Sequence, residues 1–370
     1  MKKIIILIAI LFLSPMFAWA QTEEAVFEAK VISIEDSRIL ESEDGSRVVQ
    51  QNVRLKGLSG EWEGRERVTD GIGDLNVLHN IEVKPGDKIL VSYLRDINGQ
   101  ERLYIIDHVR RGPLLWLALI FCALIILISR FKGLKALVSL AVSFLIIVYL
   151  VIPGVLAGFN PLLVSIACSF LILLLVIYIT WGWSKQSHLA FFSIAISLII
   201  TGLFSFLFTI LTKLTGLANE DIIFLIGDGL PAINFQGLLL AGIIIGTLGV
   251  LDDVVISQIS TVRQLREANL NLSVKELFSR AMKVGIDHIS SMANTLFLAY
   301  VGVSLPLLLL FKLESTAFHG FAQIINSEII ATEIVRTLTG SVGLILAVPI
   351  ATFIAAKYWT ISKVKKKEAK

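Results

Sequence analysis

Asp252 and Asp253 stand side by side in a stretch, residues 237–302, that is otherwise largely apolar. A carboxylate inside a membrane helix is costly, and the chemistry it offers there is uptake and release of a proton or another cation. At helical spacing Gly242, Gly246, Gly249, Asp253 and Ser257 share one stripe, because steps of three and four residues return to the same face, whereas Asp252 points elsewhere. Further along, Asp287, Ser291 and Asn294 form a second stripe, with Ser290 and Thr295 beside it. Small residues let helices approach closely, and polar side chains in lipid need partners. The two stripes are therefore expected to face each other, Asp253 toward Asn294 and the glycines against Ser291 and Asn294, with Ile244 on the opposite side of its helix. Counted from Gly237 at ~1.5 Å per residue, Asp253 lies ~24 Å down a ~30 Å hydrocarbon core, which leaves interior and cytoplasmic interface both open.

The elements that must position these groups are membrane helices. The chain has 370 residues, 55% of them hydrophobic, with a mean hydropathy of +0.79, too apolar for an ordinary soluble protein. Seven segments approach the ~20 residues needed to cross a bilayer: 114–129, 136–152, 161–181, 189–211, 237–257, 286–311 and 339–359. Basic residues are one-sided. Arg130, Lys132, Lys135, Lys185, Arg263, Arg266, Lys275, Arg280, Lys283 and the tail from Lys363 fall in alternate loops, which places those loops and the C-terminus in the cytoplasm. Residues 262–283 read as an amphipathic helix near the membrane surface, with a capping box from Ser273 to Glu276. On the outer side, residues 222–231 form either an ordinary loop or a re-entrant element. Asn326 and Glu328 begin a helix on which Glu333 and Arg336 follow, and Pro349 is placed to bend it.

The N-terminus has a charged start, an apolar core and an Ala18-Trp19-Ala20 cleavage site, so residues 1–20 read as a signal peptide; a retained anchor helix is the alternative. Residues 21–111 are charged and short-stranded. Alternation of Phe27, Ala29 and Val31 with polar neighbours marks a half-buried strand, and similar runs occur at 48–55, 88–94 and 102–107. Asp44-Gly45, residues 84–87 and Asn98-Gly99 supply the turns. A small exported barrel of about five strands, of the OB or SH3-like kind, is expected there. His79 and His108 are isolated and read as packing or surface residues rather than metal ligands. Cys122 and Cys168 lie in apolar runs and imply neither a disulfide framework nor a metal site.

Residues 246–257 (GTLGVLDDVVIS), 292–296 running on to Gly302, Asn326-x-Glu328, and 340–344 leading to Pro349 resemble the YibE/F-like family of bacterial multi-pass membrane proteins. The likeness covers most of residues 237–357. It implies an integral protein of the bacterial inner membrane with an exported β domain, and no established activity. Where the family has Gly-Arg-Asp-Ile-Met-Gly, this chain has Gly-Ile-Asp-His-Ile-Ser at 285–290, so a role for that arginine does not carry over. A fainter likeness, over two helices, is to SecD/SecF-type export subunits: a helix ending in Asp, a charged loop with Arg263 to Glu267, and a polar-started helix running to Gly302.

The expected protein is thus a polytopic α-helical membrane protein: signal peptide 1–20, exported β domain 21–111, seven-helix domain 112–361 and basic tail 362–370. Two functions compete. One is a transporter or ion-coupled permease using Asp253 and, secondarily, Asp252, with Asn294, Ser291 and Asp287 nearby. The other is a scaffold whose exported domain binds an envelope partner. The lipid bilayer is the expected surrounding, with a homo-oligomer or envelope protein as further partner. No hydrolase motif lies at a usable depth, no cofactor is implied, and no basic run with interleaved aromatics suggests nucleic acid.

Overall fold

The structure, a computed structural model, describes residues 25–41, 47–69, 71–72, 81–95, 101–218, 233–312 and 321–368. The signal peptide, the Asp44-Gly45 and Asn98-Gly99 turns, His79 and the 222–231 segment lie outside the described residues. The chain divides into two compact units, Met1–Ile128 and Ser129–Lys370.

The first unit carries five antiparallel strands, β1 (Ala25–Glu41), β2 (Arg47–Gly57), β3 (Glu66–Thr69), β4 (Lys88–Arg95) and β5 (Glu101–His108), in the order β3-β2-β1-β4-β5. The period-2 pattern works as expected: Phe27, Ala29 and Val31 are buried with Val53, Leu55, Ile89 and Val91 around Trp62. Trp62 stacks on Phe27 with ring centroids 5.2 Å apart. Long β1 pairs with both β2 and β4 and shifts register twice against β2. Such irregularities bend a strand, and the sheet curls into a half-barrel whose edges β3 and β5 approach without a ladder. Arg111 pairs with Glu28 at 2.7 Å, tying the first helix to β1.

The helices are α1 (Arg111–Leu156), α2 (Pro161–Trp181), α3 (Lys185–Leu211), α4 (Phe235–Ala268), α5 (Val274–Val303), α6 (Leu305–Lys312), α7 (Phe321–Asn326) and α8 (Glu328–Glu368). Among the described residues five of them, α1 to α4 and α8, are long and apolar enough to cross a membrane, where seven segments were expected. Two features account for the difference. Segments 114–129 and 136–152 belong to one 46-residue element, which leaves the helical region at Arg130, with φ 51° and ψ −125°, and turns π-helical over Ile147–Val151. The expected 286–311 segment is split at Ser304 between α5 and α6, and the polar residues 287–295 dilute its apolar run. Nor do residues 262–283 form a separate amphipathic helix. They end α4 and begin α5, around a break at 269–273. The Ser273–Glu276 capping box does form.

In the second unit α3, α4 and α8 are mutual neighbours, α2 packs on α4, and α5 packs on α4 and α8. Close approach is set by small residues. A Cβ at Gly343 would run into the Thr201 hydroxyl, and one at Gly285 would lie 2.6 Å from Val348 Cγ1 and 3.0 Å from Gln258 Nε2. Ala347, Ala351, Ala355 and Ala356 of α8 are fully buried. Pro349 lies inside α8 and removes one backbone donor there.

Two ends of this unit are chemically distinct. At one, Lys132 lies over Trp181, Lys185 over Tyr358 and Arg263 over Trp359, each 5.8–6.0 Å from the ring centroid. At the other, Glu328 accepts hydrogen bonds from the Thr215 and Gly216 amides at 2.6 and 2.9 Å, and Gln236 donates to the Leu214 carbonyl at 2.7 Å. Residues expected on the same side of the membrane thus share an end.

Candidate functional site

Asp252 and Asp253 sit in the middle of α4. Arg263, which meets Trp359 at the basic end, lies ten or eleven residues further on, ~15 Å along the helix. The carboxylates are therefore about three turns from that end. They border a cavity of about 960 Å³ between α4, α2 and the part of α1 beyond Arg130.

The polar part of its lining comes from three helices. From α4 come Asp252, Asp253, Ser257, Ser260, Thr261 and Gln264; from α1, Ser139 and Ser143; from α2, Thr180. The Ser139 and Thr180 hydroxyls share a hydrogen bond of 2.9 Å, Ser143 donates to the Ser139 carbonyl, and Thr261 donates to the Ser257 carbonyl. The rest is aliphatic, from residues such as Ile147, Ile172, Val176, Leu248 and Ile256, with Trp181 at one side. Among the described residues no lysine or arginine lines it. One carboxylate oxygen of Asp252, Oδ1, is buried with no hydrogen-bond partner, and burying such an atom unpaired is expensive.

The order of the two aspartates is reversed from expectation. Asp253 follows the glycine stripe to the exposed side of α4, while Asp252 is the more buried. The reason is which face of α4 the bundle covers. Ile244, assigned to the outer side, is 2% exposed, whereas Gly242, Gly246 and Gly249 are exposed. A Cβ at Gly242 or Gly249 would meet nothing within 4 Å, and one at Gly246 only the Tyr300 hydroxyl at 3.9 Å. The expected packing of these glycines on Ser291 and Asn294 is absent among the described residues.

The second polar stripe is displaced for a matching reason. α5 turns Met282, Ile289, Met292 and Leu296 toward Val250 and Val254 of α4 and Leu344 and Val348 of α8. That apolar stripe, at steps of three, four and seven, leaves Asp287, Ser291 and Asn294 exposed on the other side. No hydrogen bond joins Asn294 to Asp253.

The outer-face candidates have local partners. Glu328 holds the turn after α3, Glu333 pairs with Arg336 at 2.8 Å, and the Asn326 amide donates to the Ala322 carbonyl at 2.7 Å. Sequence reasoning missed Ser139, Ser143 and Thr180. An i, i+4 serine pair in an apolar run was the available signal. It also missed Gln258, fully buried, which donates from Nε2 to Thr352 Oγ1 at 2.7 Å and to the Ala281 carbonyl at 3.0 Å. Among the described residues no three His, Cys, Asp or Glu side chains converge as a metal would require.

No curated protein and no solved structure matches this chain. The model of the YibE/F-like protein family matches residues 117–361, which takes in every residue named in the cavity lining, both aspartates included. The chain therefore belongs to the YibE/F-like family and is a membrane protein.

Proposed function

We propose that this protein is an ion-coupled permease in which Asp252, with Asp253 beside it, takes up and releases a proton or another cation inside the α1–α2–α4 cavity. The observation that carries this is the unpartnered, buried Oδ1 of Asp252 at the middle of a membrane helix, next to a cavity that no lysine or arginine lines among the described residues. Ionisable groups placed so are costly unless a cation or a proton neutralises them. The chain resides in the bacterial inner membrane, with the β unit outside and the C-terminus in the cytoplasm, as the one-sided basic loops favour. Seven crossings follow if α1 folds as two arms about Arg130 and α5 with α6 makes one. The 46 residues of α1 amount to ~70 Å of helix, more than two hydrocarbon thicknesses.

Reconstituted vesicles carrying an internal pH dye test the reading. A transmembrane potential should drive proton or cation flux through the wild type, fall to the empty-vesicle level for Asp252→Asn, and persist for Asp287→Asn, because an amide keeps the shape of the side chain but cannot titrate. Flux unaltered by Asp252→Asn removes this residue as the coupling group.

A second reading, a scaffold whose β unit binds an envelope partner, is favoured by Val68 of β3 and Ile106 of β5, both exposed on the outermost strands of the described sheet. Outer strands of a sheet are the usual templates for strand addition. Capture of a defined envelope protein by the full chain, lost on Val68→Lys, tests that reading.

A further inference from the structure

We infer that the cavity between α1, α2 and α4 takes an amphiphilic organic cation, such as an amine or onium carrying bulky apolar groups, rather than a bare inorganic ion. This inference rests on the permease reading and names its cargo. Three observations lead to it.

The first is size. A cavity of about 960 Å³ belongs with the ~300–1,000 Å³ sites that hold small organic molecules. The second is the placement of oxygen atoms. A hard inorganic cation held by protein alone needs about six oxygens within ~2.6 Å. Here the polar groups of α4 run from Asp252 to Gln264, ~18 Å along the helix axis. They cannot converge on one ion.

The third observation is the pairing of charge with apolar wall. Both charged groups lining the cavity are carboxylates, and the wall facing them is aliphatic, with Ile172, Val176 and Leu248 among its residues. Anions are repelled there, and a neutral solute leaves the two carboxylates without a counter-charge. An organic cation pairs with the carboxylate and covers the aliphatic wall with its own apolar groups. Trp181 adds an aromatic face, although Lys132 occupies part of it.

The experiment uses the purified full-length protein in nanodiscs, with radiolabelled tetraphenylphosphonium as probe and, in separate samples, radiolabelled tetraphenylborate, of the same shape and opposite charge, as control. Saturable tetraphenylphosphonium binding is expected, without saturable binding of tetraphenylborate, weakened at least tenfold by Asp252→Asn, and unchanged by Asp287→Asn. Ser143→Phe, which adds bulk to the cavity lining and leaves both carboxylates in place, should weaken binding to a similar extent. Absence of saturable binding, equal binding of the borate, or binding indifferent to both Asp252→Asn and Ser143→Phe overturns the inference. Ion flux that depends on Asp252 with no phosphonium binding would sink this inference and spare the permease. Phosphonium binding without any coupled flux would sink the permease and leave the cation site standing.

Discussion

Gln258 of α4 and Thr352 of α8 share a fully buried hydrogen bond of 2.7 Å, and the same amide nitrogen reaches the Ala281 carbonyl of α5 at 3.0 Å. One side chain thus joins three helices, beside Gly285, which has no room for a Cβ. In a dry interior such a bond is hard to replace once one partner is lost.

Gln258→Leu should therefore destabilise the helical unit by about 1–3 kcal/mol. Thr352→Ala, which leaves the Ala281 bond in place, should cost less, and the double variant should cost less than the sum because the two residues share one interaction. Thermal unfolding in detergent measures all three. Strict additivity would show that the bond does not couple α4 to α8.

Gly343 and Gly242 make a contrasting pair. Thr201 of α3 is β-branched, bonded to the Ser197 carbonyl at 2.8 Å, and close enough to block any side chain at 343. Gly343→Ala should cost about 1–3 kcal/mol, and Thr201→Ala should restore part of that loss. Gly242→Ala meets open space and should be silent or slightly stabilising, since alanine is the better helix former. Equal destabilisation by both substitutions would return the Gly242 stripe to the role of a packing face.

At the start of α5, the Ser273 backbone N–H and hydroxyl donate to the Glu276 carboxylate and hold it below its ordinary value of 4.5. A carboxyl lowered in the folded state contributes stability that is fully present above its unfolded value and is lost as pH falls through the lowered one. Acidification below about 4.5 should fray the first turn of α5, read as loss of amide protection at residues 274–277. Glu276→Gln should make that protection independent of pH in the same range. If the wild type behaved as the variant does, the carboxylate would not be capping the helix.

The sequence made some of this legible and hid the rest for identifiable reasons. Phe27, Ala29 and Val31 alternate so regularly that β1 could be read at its start, but β3 is only four residues long and carries little pattern. The Ser273 cap was visible because its chemistry is local. Asp252 and Asp253 were visible because carboxylates stand out in an apolar run. Their surroundings were not, because α1 and α2 are apolar almost throughout, and Ser139, Ser143 and Thr180 acquire meaning only once the helices are placed. The glycine stripe misled through a sound rule applied to the wrong face. Glycines permit close approach, but the close approaches occur at Gly285 and Gly343. The polar stripe of α5 misled similarly, because Met282, Ile289, Met292 and Leu296 compete for the same interface and bury more apolar surface.

A coupling role for Asp252 requires that the side chain at 252 face a cavity that water can enter. Cys122 and Cys168 are first replaced by serine and alanine, and a single cysteine is then introduced as Asp252→Cys or, for comparison, as Ile244→Cys. The reconstituted protein is treated with a charged, membrane-impermeant thiol reagent applied to each side in turn. Rapid modification is expected at 252 and none at 244, whose native side chain is 2% exposed. Inertness of the cysteine at 252, equal to that at 244 and from both sides, would contradict that role.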